Sequence, residues 1–130
     1  MDFQFDEIKK TSVWINKIIS NYSKISGDLT YIFCSDTYLL QLNISHLNHD
    51  TLTDIITFDY TNAGIISGDI FISIDRIKEN ASTFGVPFEE ELSRVMAHGV
   101  LHLIGFKDKT KDEKQEMREA EDHALTLVVS

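Results

Sequence analysis

The sequence predicts a mixed α and β fold: one domain over residues 1–130, a mixed four-stranded sheet backed by helices, and a metal site at the end of a central helix. Three observations predict it. Short β-branched and aromatic runs alternate with longer stretches whose apolar residues recur every three or four positions, so strands and helices interleave. The link between the runs Ile55–Tyr60 and Ile66–Ile74 is short enough for an antiparallel pair, whereas helical connections elsewhere allow parallel ones. Two histidines, His98 and His102, lie one helical turn apart just before a glycine stop.

Each element follows from its own residues. Phe3 and Phe5 alternate with polar neighbours as a short first strand would, and Thr11 or Ser12 can then cap a helix carrying Val13, Ile15, Ile18, Ile19 and Tyr22. Gly27-Asp28 closes that region, and Leu29–Cys34 is β-branched and aromatic enough for a second strand. Ser35-Asp36 opens a short helix through Leu39, Leu40 and Leu42. Ile55–Tyr60 and Ile66–Ile74 follow as the β pair, turned by Thr61-Asn62-Ala63-Gly64. Asp75–Phe84 reads as a helix closed by Gly85. Pro87 is tolerated in a first helical turn, and Phe88–Ile104 continues with Leu92, Val95, Met96, Leu101 and Leu103 until Gly105 stops it. Thr110-Lys111-Asp112-Glu113 matches a capping box, and the last helix buries Met117, Ala120, Ala124 and Leu127. Trp14, Phe71 and Phe84 read as core aromatics.

A chain of 130 residues, 42% hydrophobic and 25% charged with one proline and six glycines, has enough apolar surface for one packed core and is no disordered tail. Cys34 stands alone, so no internal disulfide or cysteine-rich metal site can form; this fits a reducing cytoplasm, and any metal must be held by His, Asp or Glu. The N-terminus has no basic segment leading into an apolar run, and no stretch approaches the roughly eighteen apolar residues of a membrane span. Export and membrane insertion are therefore not expected. The formal charge of −9 repels polyanions at long range, which disfavours broad nucleic-acid binding, and no DNA partner is expected. Screening beyond about 8–10 Å still lets a local patch or a bound cation attract phosphate.

The most informative stretch is Met96–Asp108. His98 and His102 share a helical face with Val95, so they turn toward the protein body, where an imidazole needs a hydrogen-bond partner or a metal. A tight turn at Gly105 can bring Asp108 under the two rings, giving three ligands and a fourth position for water, as catalytic zinc sites have. The competing reading is a histidine pair satisfied by carboxylates or backbone, with Asp108 solvated in the polar run Lys107–Lys114. A metallopeptidase places a glutamate directly after the first helical histidine as general base. Here that position is Gly99, which would leave room beside a metal for a substrate backbone. Phosphodiester chemistry, by a water of lowered pKa or by a ribose 2′-hydroxyl near the ion, is preferred to peptide hydrolysis by elimination.

The run His98-Gly99-Val100-Leu101-His102-Leu103-Ile104-Gly105-Phe106 resembles the His-Gly-x-Leu-His-Leu-x-Gly-Tyr signature of the YbeY family, bacterial rRNA maturation factors described as metal-dependent endoribonucleases. Leu42-Asn43, the run Thr53-Asp54-Ile55-Ile56-Thr57-Phe58 and Gly68-Asp69-Ile70 resemble further family segments. Phe84-Gly85, Phe88, Glu91-Leu92, Met117 and Glu121 also agree in order, so the similarity spans residues 38–123. The resemblance implies an α+β fold, one Zn2+ held by three side chains, and hydrolytic endoribonuclease action at the 3′ end of 16S rRNA, with rRNA or the small ribosomal subunit as partner. His98 and His102 carry over directly. The family's third ligand is a histidine ten positions after the first, where this chain has Asp108. The implied set is two imidazoles and a carboxylate, sound for zinc and, being harder, admitting manganese or iron.

A family arginine suited to phosphate aligns with Leu47. His46 or His49 could supply a positive charge instead, or be ordinary loop histidines, and arginine is the better bidentate phosphate donor, so the catalytic protein groups stay unassigned. Asp54 and Asp69 suit turn or backbone roles better than the alternatives of facing the site or orienting a ligand. Lys107, Lys109, Lys111, Lys114 and Arg118 alternate with acids, as a solvated helix start does and as an rRNA contact could. Two rival functions remain. One is a non-catalytic ribosome-assembly factor whose structural metal is closed by a fourth ligand such as His123. The other is a metallopeptidase with Glu121 or Glu91 near the water.

Overall fold

Neither glycine nor proline interrupts α1 (Phe5–Asn21). The helix therefore runs through Thr11 and Ser12 instead of starting on them. The computed structural model describes residues 5–47 and 53–127, with side chains for residues 10–45 and 53–127. Within these the sheet has three strands, not the expected four. Phe5 belongs to the helix, and Phe3 lies outside the described residues.

The remaining elements are β1 (Ile25–Cys34), α2 (Asp36–Leu47), β2 (Ile55–Asp59), β3 (Ile65–Ser73), α3 (Ile74–Phe84), α4 (Phe88–Ile104) and α5 (Lys111–Thr126). Gly27-Asp28 does not end a region. It lies inside β1, where the pairing register slips between Ser26 and Leu29 and the Asp28 N–H donates to Ser67 Oγ at 3.2 Å. Strand order is β1-β3-β2, with β3 central, parallel to β1 and antiparallel to β2. The β2–β3 turn closes on two residues: Asn62 and Ile65 exchange backbone hydrogen bonds at 3.1 and 2.9 Å, while Ala63 (φ 52°) and Gly64 (φ 79°) are both left-handed.

Alternation along β3 gives the sheet two covered faces. Ile66, Gly68, Ile70 and Ile72 are buried on the side of α4, and Phe71 on the other side lies between Phe58 of β2 and Tyr38 of α2, at ring-centroid distances of 5.7 and 6.3 Å. Helix α4 is the central element, packed on β2 and β3 and flanked by α1, α3 and α5. Its Gly99 does not border the histidines' open side. It is buried against the sheet, where an added Cβ would meet side-chain carbons of Ile55 and Ile70 at 2.9 Å, because successive helical residues point about 100° apart. Glycine there permits close helix–sheet contact. Trp14 Nε1–H donates to the Ala124 carbonyl at 2.8 Å and so ties α1 to α5, whose Met117, Ala120 and Ala124 are buried as the sequence predicts. Among the described residues no helix is long and apolar enough to cross a membrane.

Left-handed backbone is unfavourable by about 1 kcal/mol for alanine and routine for asparagine. Ala63→Asn should therefore raise the thermal midpoint by about 3–5 °C, followed by circular dichroism. An unchanged or lower midpoint would count against the turn geometry.

Candidate metal centre

Helix α4 starts after Pro87 and carries Glu89, Glu90 and Glu91 in its first turn, where their charge complements the helix N-terminus. About two and three turns later His98 and His102 project side by side, ring centroids 4.6 Å apart and planes at 75°. The helix ends at Gly105, whose φ of 130° lies outside the range that residues with a Cβ readily adopt; its N–H reaches the carbonyls of Leu101 and His102. Phe106 then turns into the core, edge-on to Tyr22 at 5.3 Å. On the other side of Asp108 the expected capping box is formed: Thr110 Oγ1 accepts from the Glu113 N–H, and Glu113 Oε1 accepts from the Thr110 and Lys109 N–H groups. Asp108 is thus held in a short loop fixed at both ends.

That loop brings the carboxylate back to the helix. Asp108 Oδ2 lies 3.2 Å from His98 Nε2 and 3.4 Å from His102 Nε2, and the three donor atoms all lie within 4.8 Å of one another. Ligands about 2.0–2.1 Å from a tetrahedral ion are separated by about 3.3 Å, so both carboxylate–imidazole spacings fit a shared divalent metal. Among the described residues this is the group of His, Cys, Asp or Glu side chains able to hold one. His123, in the last turn of α5, is exposed and outside the group.

His98 is fixed from behind. Its Nδ1 lies 2.6 Å from Oε2 of the buried Glu121 on α5, a pairing that puts the ring proton on Nδ1 and turns the Nε2 lone pair toward Asp108. Glu121 in turn accepts from Arg94 Nη1 at 3.1 Å, and Arg94 Nη2 donates to Asp122 at 2.8 Å. Burial alone would lower the His98 pKa, but the bond to Glu121 and the charges of Glu121, Asp108 and Asp54 outweigh it and hold the pKa above the ordinary value. A metal ion at Nε2 would have to displace the second proton, the one that the charged ring carries on Nε2, and leave the Nδ1 proton hydrogen-bonded to Glu121.

The same side of α4 opens into a cavity of about 260 Å³ bordered by His98, Asp108, Glu121, Asp54, Glu91 and Arg94. Asp54, at the entrance to β2, therefore faces the site, the alternative the sequence reading ranked second. Burial chiefly raises its carboxyl pKa, His98 and its own backbone N–H oppose this, and Glu121 and Asp108 add to the rise. Glu91 is raised in the same way, by burial and then by Asp54. Asp69 lies mid-strand in β3 between Gly68 and Ile70, on the sheet face turned away from α4. Leu47 is the last residue of α2; its side chain, that of His46 and all of His49 lie outside the described residues.

Phe84 corrects another expectation. It is 63% exposed and borders the metal-side cavity instead of entering the core, because it is the last residue of α3 before the left-handed Gly85 cap. The Arg94–Glu121–His98 chain went unread as well. Its signal was present in α5, where Glu121 falls on the buried stripe of Met117, Ala120 and Ala124, a position where an acid needs partners.

The sequence profile of the family described as Endoribonuclease YbeY matches residues 2–128. The chain belongs to the YbeY family. It is 51% identical over 127 residues to the Endoribonuclease YbeY of Flavobacterium psychrophilum, covering 98% of this chain and 91% of that one. Identity to the Endoribonuclease YbeY of Parabacteroides distasonis is 48% over 129 residues, again 98% and 91% of the two chains. The fold resembles the solution structure of TM1509 from Thermotoga maritima, with a TM-score of 0.68 over 98% of this chain and 85% of that one, at 24% identity. Among the described residues the fold is α+β, with five helices around a three-stranded mixed sheet.

Removing the carboxylate that orients a metal-binding imidazole typically lowers metal affinity about 10–100-fold. Glu121→Gln should show a loss of that size in chelator-competition titrations with Zn2+, with the ion pair to Arg94 also weakened. Unaltered affinity would mean that His98 is not oriented through Nδ1.

Proposed function

We propose that this chain is a metal-dependent endoribonuclease of rRNA maturation, acting at the 3′ end of 16S rRNA on the small ribosomal subunit, and that residues 1–130 form one hydrolase domain. The observation that carries the reading is the convergence of Asp108 on His98 and His102 at 3.2 and 3.4 Å, beside a cavity that His98 and Asp108 border, in a member of a family described as endoribonucleases. We propose Zn2+ as the metal, held by His98, His102 and Asp108, since two imidazoles and a carboxylate are an ordinary zinc donor set. The lone Cys34 supports a reducing cytoplasm as the place of action.

A divalent ion held there would act as a Lewis acid on a phosphodiester oxygen and lower the pKa of a water molecule. The protein supplies the remainder. Glu121 keeps the His98 proton on Nδ1 and Arg94 fixes Glu121, so the ring is aimed before substrate arrives. Asp108 adds a negative charge that a histidine would not. Among the carboxylates bordering the cavity, Glu121 and Asp108 are engaged by imidazoles. Asp54 and Glu91, with their raised proton affinity, are the groups suited to receive a proton from an attacking hydroxyl.

The rival readings fare less well on geometry. A peptidase of the helical-histidine type would need an acid at the Gly99 position, yet Gly99 is packed on the sheet, and Glu121 sits on the Nδ1 side of the ring; Glu91 would serve either chemistry, and membership of a family described as endoribonucleases favours RNA. A purely structural metal would be closed by a fourth side chain, and the group comprises three among the described residues.

Purified protein should carry about one zinc-type metal per chain by elemental analysis. His102→Ala should lose the metal and all cleavage of a 16S 3′-end RNA in single-turnover assays, whereas Asp108→His should retain both, because imidazole can take the same coordination position. Metal-loaded wild-type protein that binds this RNA without cutting it would favour the assembly-factor reading.

A further inference from the structure

The cavity beside the metal ligands has two features that the metal site itself does not need. Phe84 presents a large aromatic ring to solvent at the end of α3, 63% exposed, in surroundings that are otherwise mostly polar. Arg118 borders the same cavity from α5 with its side chain 64% exposed. The hydrophobic effect would normally draw such a ring inward. The backbone beneath it is fixed by the helix cap, in which Gly85 N–H donates to Ser82 O at 3.3 Å and Val86 N–H to Ala81 O at 3.0 Å.

The two arginines of the cavity differ in what holds them. Arg94 is bound at short distance by Glu121 and Asp122 and is committed to orienting His98. Arg118 meets Asp122 only at 4.0 Å, within one helix and in solvent, and that carboxylate already receives Arg94 at 2.8 Å. An exposed pair of this kind contributes little, so the Arg118 guanidinium can turn to another anion at small cost. Any polyanion entering here passes Asp54, Glu91, Asp108 and Glu121, and it needs a cation beyond the metal to offset them.

We propose that Phe84 and Arg118 form the nucleotide-binding rim of this site: the ring stacks on the base next to the scissile bond, and the guanidinium takes a neighbouring phosphate. The assignment rests on the nuclease reading above and names the residues by which the site holds its substrate. Stacking fits any base, since each has a π-face, and a guanidinium offers phosphate two parallel hydrogen bonds. A cavity of about 260 Å³ has room for part of one nucleotide.

The test is fluorescence anisotropy with a labelled, cleavage-resistant 2′-O-methyl oligoribonucleotide of about ten residues on metal-loaded protein, over a range of salt. Phe84→Ala should weaken binding about 10-fold and Phe84→Trp should keep or tighten it. Arg118→Ala should weaken binding and reduce the slope of log affinity against log salt by about 0.7, the value of one phosphate contact on a single strand, and Arg118→Lys should retain that slope. Both positions are exposed, so metal content and thermal midpoint should match wild type. Wild-type binding left intact by Phe84→Ala and Arg118→Ala would overturn this inference alone. Wild-type protein that neither binds nor cuts RNA would overturn the nuclease reading and this inference with it.

Discussion

A carboxylate buried among apolar side chains is tolerated only when charged or hydrogen-bonding partners replace the water it has lost. Glu121 meets that demand with His98 on one oxygen and Arg94 on the other, both from α4. The contact docks the C-terminal helix on the central one and selects which nitrogen of His98 faces outward. Packing, imidazole orientation and the charge of the cavity follow from this one satisfied acid.

The loop that carries Asp108 shows how local chemistry converts into site geometry. A glycine at φ 130° reverses the chain, Phe106 anchors the reversal in the core, and the Thr110–Glu113 box starts the next helix two residues beyond Asp108. With both ends fixed, little backbone freedom is left to lose when the carboxylate engages a cation, and such preorganisation favours tight binding. The opposing term is electrostatic. Burial first, and then the neighbouring carboxylates, raise the proton affinity of Asp54 and Glu91. A divalent ion reverses that balance.

The parts of the fold that were readable in the sequence are those with strong local punctuation. Pro87 and Gly105 bound α4 at the residues observed, the capping box starts α5, and the apolar periods of both helices name their buried faces. The alternation of Phe3 and Phe5 is too short a signal to specify a strand, and Phe5 lies in a helical stretch that no glycine or proline interrupts. Of the site, the two histidines and Asp108 were visible because they fall within eleven residues, where helix geometry and one turn decide proximity. Glu121 lies 23 positions from His98, and Arg94 lies 27 from Glu121, so their meeting depends on how α5 packs, which no local rule gives. Gly99 and Phe84 were misplaced for a related reason: which way a helical residue points is decided by the tertiary neighbours.

The indole of Trp14 has a use beyond joining two helices. It is the lone tryptophan of the chain, and its N–H is held by a carbonyl one turn beyond Glu121 on α5. Emission from this fluorophore therefore reports the seating of α5. Detachment of that helix, which would also release His98, would expose the ring to water and shift its spectrum to the red, so the molecule carries its own optical gauge of an ordered centre.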